Sequence, residues 1–219
     1  MKKLLIFFSF SIAFGGTVNV QKGNIVYVEN GKSKQLTESG RDKNPILSPK
    51  QDWIYFIRQG QVNQEQVKKS GDEIWRVKID GSSLAKLHKE IELENNNGGA
   101  IDEIHISPDG LRIYFQASKF ATGSSLEVMN SDGTNLQYLG PAEVMKIILE
   151  GKYAGYILAS QGRVEKDKGR FWQFYLFTPN LEHEIAVLGE DPSAFIELNN
   201  IKFTDKSEKE FVSIFRSKD

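Results

Sequence analysis

Short apolar runs separated by turn residues dominate this chain, and no stretch sustains the 3.6-residue period of an amphipathic helix. Two segments set the pattern: "NPILSPKQDWIYF" from Asn44 and "IHISPDGLRIYF" from Ile104. Each is an apolar run, a Ser-Pro turn and a second run rich in β-branched and aromatic residues. Proline presets φ for the second turn position, and Gly110 tolerates a positive φ in the copy that has it. A second pair comes after the first: "EIWRVKIDGSSLAKL" and "SLEVMNSDGTNLQYL". Both place Asp-Gly between apolar runs, a strong hairpin signal. The repeating unit is therefore four short antiparallel strands.

A third, more divergent unit is traceable. "VMKIILEGKYAGYILASQ" supplies its first two strands and "FWQFYLFTPNLEHEIAVLG" its last two. "AEVMKIILEGKY" passes locally for a helix, but its place in the repeat argues for strand. A fourth unit is split between the ends. "NIVYVENGKSKQLT" reads as a third-and-fourth-strand hairpin around Asn30-Gly31, and "NIKFTDKSEKEFVSIF" as a first-and-second-strand hairpin around Asp205-Lys206-Ser207. Sheets that cannot bury their own faces stack radially, and closure removes exposed edges. The expectation is an all-β fold: a β-propeller of four blades, each of four antiparallel strands, closed by pairing of the N-terminal and C-terminal hairpins. The blades fall at about 44–89, 100–140 and 143–190, with 195–215 completed by 24–38. An arc that completes a larger ring by dimerisation is the alternative, and a closed ring implies a monomer.

The first residues differ in kind. "MKKLLIFFSFSIAFGG" runs from two lysines through an apolar core to small residues, the order of a secretory signal peptide. The apolar run is too short to span a bilayer, which takes about 20 residues. Residues 1–15 are expected to be the signal and 16–219 the propeller domain, with no membrane insertion after signal removal and a periplasmic or secreted location. The chain has no cysteine, which excludes disulfides and a lipid anchor on cysteine. Its formal net charge is −1 without a basic run, which argues against a nucleic-acid partner.

The quoted segments resemble the TolB-type (WD40-like) β-propeller repeat of bacterial envelope proteins. The similarity is good over about 24–140 and weaker beyond. It implies a propeller fold in which Ser-Pro-Asp-Gly and Asp-Gly-Thr-Asn are turn residues rather than site residues. The same repeat is similar to that of the propeller domains attached to prolyl-peptidase-type hydrolases.

Chemical motifs are sparse. No G-x-S-x-G is present. His88, His105 and His183 fall in different units, which gives no metal-ligand spacing. "NSDGTN" has the oxygens of a calcium loop but sits where the first unit has a plain hairpin turn. No catalytic residue, metal ligand or cofactor is therefore assigned. His105, beside Asp102 and Glu103 on an innermost strand, is the residue most able to face a central channel. In a four-stranded meander the first and third connections lie at one end of the blade, and the second connection and the link to the next blade at the other. The first set is short and stereotyped. The second set is long and irregular, which is where binding usually resides. It brings Asn96, Asn97, Lys119, Phe120, Arg163, Lys166 and Arg170 to one end. With His105, these are the candidate contacts of a binding or scaffold module for a protein or cell-envelope component. The alternative is a propeller-type hydrolase or lyase with its site at the central axis.

Overall fold

The structure is a computed structural model that describes residues 15–63, 68, 69, 71–90, 99–120, 123–165, 169–179 and 183–216. The signal sequence expected at the N-terminus lies outside the described residues, apart from Gly15. An N-terminal sheet holds β1 (Thr17–Gln21), β2 (Asn24–Glu29) and β3 (Lys32–Gln35). The first blade holds β4 (Asp42–Leu47), β5 (Trp53–Arg58), β8 (Glu73–Lys78) and β9 (Ala85–Lys89). A small hairpin, β6 (Val62–Asn63) and β7 (Lys68–Lys69), is inserted between β5 and β8. The second blade is β10 (Ala100–Ile106), β11 (Arg112–Phe120), β12 (Gly123–Asn130) and β13 (Gln137–Pro141). The third is β14 (Val144–Ile147), β15 (Ile157–Glu165), β16 (Gly169–Phe177) and β17 (Glu184–Gly189). Every pairing within these blades is antiparallel and between neighbours in the meander, as expected from the repeat.

Second strands are buried on both faces, because each blade is sandwiched between neighbours. Ile54, Tyr55, Phe56 and Ile57 on β5, and Ile113, Tyr114 and Phe115 on β11, are all buried. The turns repeat as closely as the strands. Ser48 Oγ accepts hydrogen bonds from the backbone N–H of Asp52 and Trp53, and Ser107 Oγ accepts one from Arg112. In both units the fourth turn residue donates to the serine carbonyl, Gln51 to Ser48 and Gly110 to Ser107, each at 2.8 Å. Both have positive φ, 57° at Gln51 and 75° at Gly110. Only the second unit has the residue type suited to it. In the turns between third and fourth strands, Asp80 and Asp132 accept the N–H groups of Ser82 and Thr134.

Four apolar clusters run in series. One joins the N-terminal sheet to the first blade, through Ile25, Tyr27, Ile54, Phe56 and Val77. The next two join the first blade to the second and the second to the third. The last joins the third blade to the C-terminal segment. No cluster of described residues joins the N-terminal sheet to that segment.

This corrects the closure expected from the sequence. The N-terminal sheet gains a strand, β1, that the hairpin reading leaves out. Instead of a strand hairpin at 195–215 there are two helices, α1 (Ser193–Leu198) and α2 (Glu208–Arg216). They lay Ile196, Phe211 and Val212 on Leu158, Phe174 and Leu176, where the next blade would pack. Phe203 makes a single antiparallel bridge with Ile148, just beyond β14, and does not begin a fourth blade. The reason is local. Ser207-x-x-Glu210 is a helix-start signature with acidic residues in the first turn, and Phe211, Val212 and Phe215 have helical spacing.

Candidate functional site

The first strands of successive blades converge at the inner edge of the array, and their polar side chains meet there. On β10, His105 is 2% exposed, and its Nε2 lies 3.1 Å from Glu103 Oε2. Lys146, on β14, lies 3.8 Å from that same oxygen and donates to Asp205 Oδ2 at 2.7 Å. Asn44, at a break in the β4–β5 register, donates to the Asp102 carbonyl at 3.2 Å. Two blades and the C-terminal segment thus contribute to one polar group: Glu103, His105, Lys146 and Asp205.

The hydrogen bond from His105 is the main influence holding the Glu103 carboxyl below its ordinary value, with the Lys146 charge adding to it against partial burial. Burial pushes the Asp205 carboxyl upward, but hydrogen bonds from Lys146 and Ser207 outweigh it and the net displacement is downward. With Nε2 given to Glu103, His105 Nδ1 is a buried ring nitrogen without a hydrogen-bond partner. The group can orient a polar ligand or exchange a proton. It contains no activated nucleophile.

The predicted contacts do not gather in one place. His105 lies near the Ser107 turn, away from the irregular end. Asn96, Asn97 and Lys166 lie outside the described residues. Lys119, Phe120 and Arg170 are placed by their backbone at the β11–β12 and β15–β16 hairpin ends, which belong to the irregular end. Arg163 is not a free cation: its guanidinium lies 3.8 Å from the centre of the Tyr175 ring and pairs with Glu184.

The irregular end has a feature that the strand lengths conceal. β14 pairs only with Ile157–Ser160, and β17 only with Phe174–Phe177. Gln161–Glu165 and Gly169–Gln173 therefore continue beyond the blade as a two-stranded ribbon. Val164 on this ribbon is 76% exposed. One metal-ligand group also escapes the spacing argument. His88, Glu90 and Glu127 bring their ligand atoms within 4.8 Å of one another. The i, i+2 spacing of His88 and Glu90, which puts both on one strand face, is the only sequence signal for it.

No family model matches the sequence, and no curated protein matches it. Solved structures do share the fold. A TolB from Agrobacterium tumefaciens superposes with a TM-score of 0.50 at 14% identity, over 81% of this chain and 58% of that one. The β-propeller domain of the Trilobed protease from Pyrococcus furiosus, which has an open velcro topology, gives 0.50 at 16% over 74% and 48%. An oligogalacturonate lyase in complex with manganese gives 0.51 at 13% over 74% and 40%. The chain is thus a β-propeller-type protein, and it spans less than two thirds of each of these chains.

Proposed function

We propose that this chain is an exported, TolB-like propeller module that binds a protein or cell-envelope component through the irregular end of its blades. The observation that carries the reading is the contrast between blade ends. One end has short turns closed by repeated Ser and Asp hydrogen bonds. The other has the β6–β7 insertion and the projecting ribbon of Gln161–Glu165 and Gly169–Gln173 with its exposed Val164. A rigid frame with dissimilar loops at one end suits recognition. Export rests on the charged-then-apolar N-terminus, and no helix among the described residues is long and apolar enough to cross a membrane. The helices laid over the third blade cover the face on which a second copy would stack, which favours a monomer.

Photo-crosslinking in a bacterial envelope tests this, with the probe at Val164 or Phe120 and a control at Ser82 on the opposite end. One partner captured at both test positions and not at Ser82 is the expected result. Equal capture at all three overturns the reading. A second reading, an enzyme acting at the inner edge, is favoured by one observation, the convergence of Glu103, His105, Lys146 and Asp205. A His105→Asn change that abolishes turnover of an oligosaccharide or peptide by the folded protein would support it.

A further inference from the structure

His88 and Glu90 leave the outer edge of the first blade on one face, toward the second blade. The His88 ring packs on Phe115 with centroids 5.2 Å apart. Phe115 stands directly opposite Glu127 in the β11–β12 ladder, so both project from the face of the second blade that meets the first. The three groups are therefore delivered by two blades to one seam. Glu90 is 3% exposed and Glu127 1% exposed. His88 Nε2 lies 2.9 Å from Glu90 Oε1. Ser125 Oγ lies 2.9 Å from Glu127 Oε1 and 3.0 Å from the Ala117 carbonyl, which fixes the rotamer of Glu127 from behind.

We propose that His88, Glu90 and Glu127 form a divalent transition-metal site that staples the first blade to the second. The donor set is one imidazole and two carboxylates. It suits Zn²⁺ or Mn²⁺ and lacks the all-oxygen shell that Ca²⁺ and Mg²⁺ prefer. Ligand atoms about 2.1 Å from one ion stand about 3–4 Å apart, which the observed convergence accommodates with rotamer-scale adjustment. An ion held there takes its two charged donors from Glu90 and Glu127 and a neutral third donor from the imidazole. Ser125 plays the supporting part that outer hydrogen bonds play for ligating carboxylates. An ion on His88 Nε2 replaces the hydrogen bond to Glu90, and the single proton of the neutral imidazole then sits on Nδ1. Glu90 and Glu127 are buried and His88 is partly exposed, so three protein donors leave a further position on the ion for water or another group. The site lies in the seam between blades, apart from the inner-edge group of Glu103, His105, Lys146 and Asp205.

The test uses the full chain, stripped with a chelator and then titrated with Zn²⁺ or Mn²⁺ alone. Bound metal is counted by mass spectrometry of the eluted protein, and affinity is read from calorimetry. The expected result is one ion per chain and a higher melting temperature. Glu127→Gln and His88→Ala should each weaken binding about 100-fold. His183→Ala, at an exposed position, should leave it unchanged. A Co²⁺-loaded wild-type sample gives a second readout that needs no variant to fold: paramagnetic broadening confined to the His88 imidazole among the three histidines. Absence of stoichiometric uptake overturns the proposal and means that a proton or a neighbouring side chain neutralises the pair. Uptake that persists in the His88→Ala/Glu127→Gln double variant overturns it as well.

Discussion

The two ends of the blade array meet the same difficulty by different means. A terminal sheet has a face that no further blade covers. At the N-terminal end the composition of the sheet deals with it. In the β1–β2–β3 register, Val18, Ile25 and Tyr27 face the first blade, while Thr17, Asn19, Gln21, Ser33 and Gln35 surround Val26 and Val28 on the opposite face. At the C-terminal end the outer face of the third blade is strongly apolar, and two short helices are laid over it. A polar outer surface and a dedicated cap are two ways for stacked repeats to terminate. The difference teaches that the place after the third blade is taken by a helical segment that breaks the repeat, whereas the N-terminal sheet keeps the strand pattern and makes its outer face polar.

The largest effect expected from this comparison is at the helical cap. Phe211 packs edge-on against Phe174, Phe203 and Phe215. Phe211→Ala should cost about 3–5 kcal/mol in denaturant unfolding, through lost burial and the cavity left behind. Asn19→Ala, on the polar outer face of the N-terminal sheet, should stay within about 0.5 kcal/mol of wild type. Equal costs would break the contrast. A smaller effect separates the first two blades. Gly110→Val should lose about 1–2 kcal/mol, because a β-branched residue is forced to positive φ. Gln51→Gly should be neutral or mildly stabilising, because it relieves the same strain at the equivalent turn. A loss in the second variant would show that the two turns are not equivalent.

The smallest effect concerns pH. Glu103 and Asp205 have folded-state values below their ordinary 4.5 and 3.8, so each binds protons more readily when unfolded. Their contribution is complete above those ordinary values and is lost as pH falls through and below them. Lys146→Met removes the cation that both carboxylates face, and should flatten the dependence of melting temperature on pH between about 5 and 3. An unchanged slope would show that the inner-edge group is not coupled.

Much of the frame is legible in the sequence because its determinants are local. Ser-Pro and Asp-Gly turns state where a chain reverses, and a run such as Trp53–Arg58 states that a strand is buried on both faces. The C-terminal segment is ambiguous because its apolar residues satisfy both periods over a short stretch. Ser207-x-x-Glu210 is the deciding signal, and it is outweighed if the repeat is assumed to continue. The inner-edge group is half legible: His105 is in the sequence beside Glu103, but Lys146 and Asp205 reach them only through the stacking of blades. His88, Glu90 and Glu127 are hidden for the same reason, since the seam between blades joins residues that no spacing rule connects. Arg163 is legible as a cation, though not as one paired with Glu184, because that pairing depends on how the ribbon meets β17.

The measurement that tests the capped-array account most directly is a pair of cysteine traps in this cysteine-free chain. Leu149→Cys/Lys202→Cys joins neighbouring positions beside the Ile148–Phe203 bridge. Asn19→Cys/Ser213→Cys joins the N-terminal sheet to the C-terminal helix. Under mild oxidation at low protein concentration the account predicts an intramolecular disulfide in the first pair and none in the second. An efficient intramolecular Asn19→Cys/Ser213→Cys bond would place the two ends against each other, and would contradict an array that is capped separately at each end.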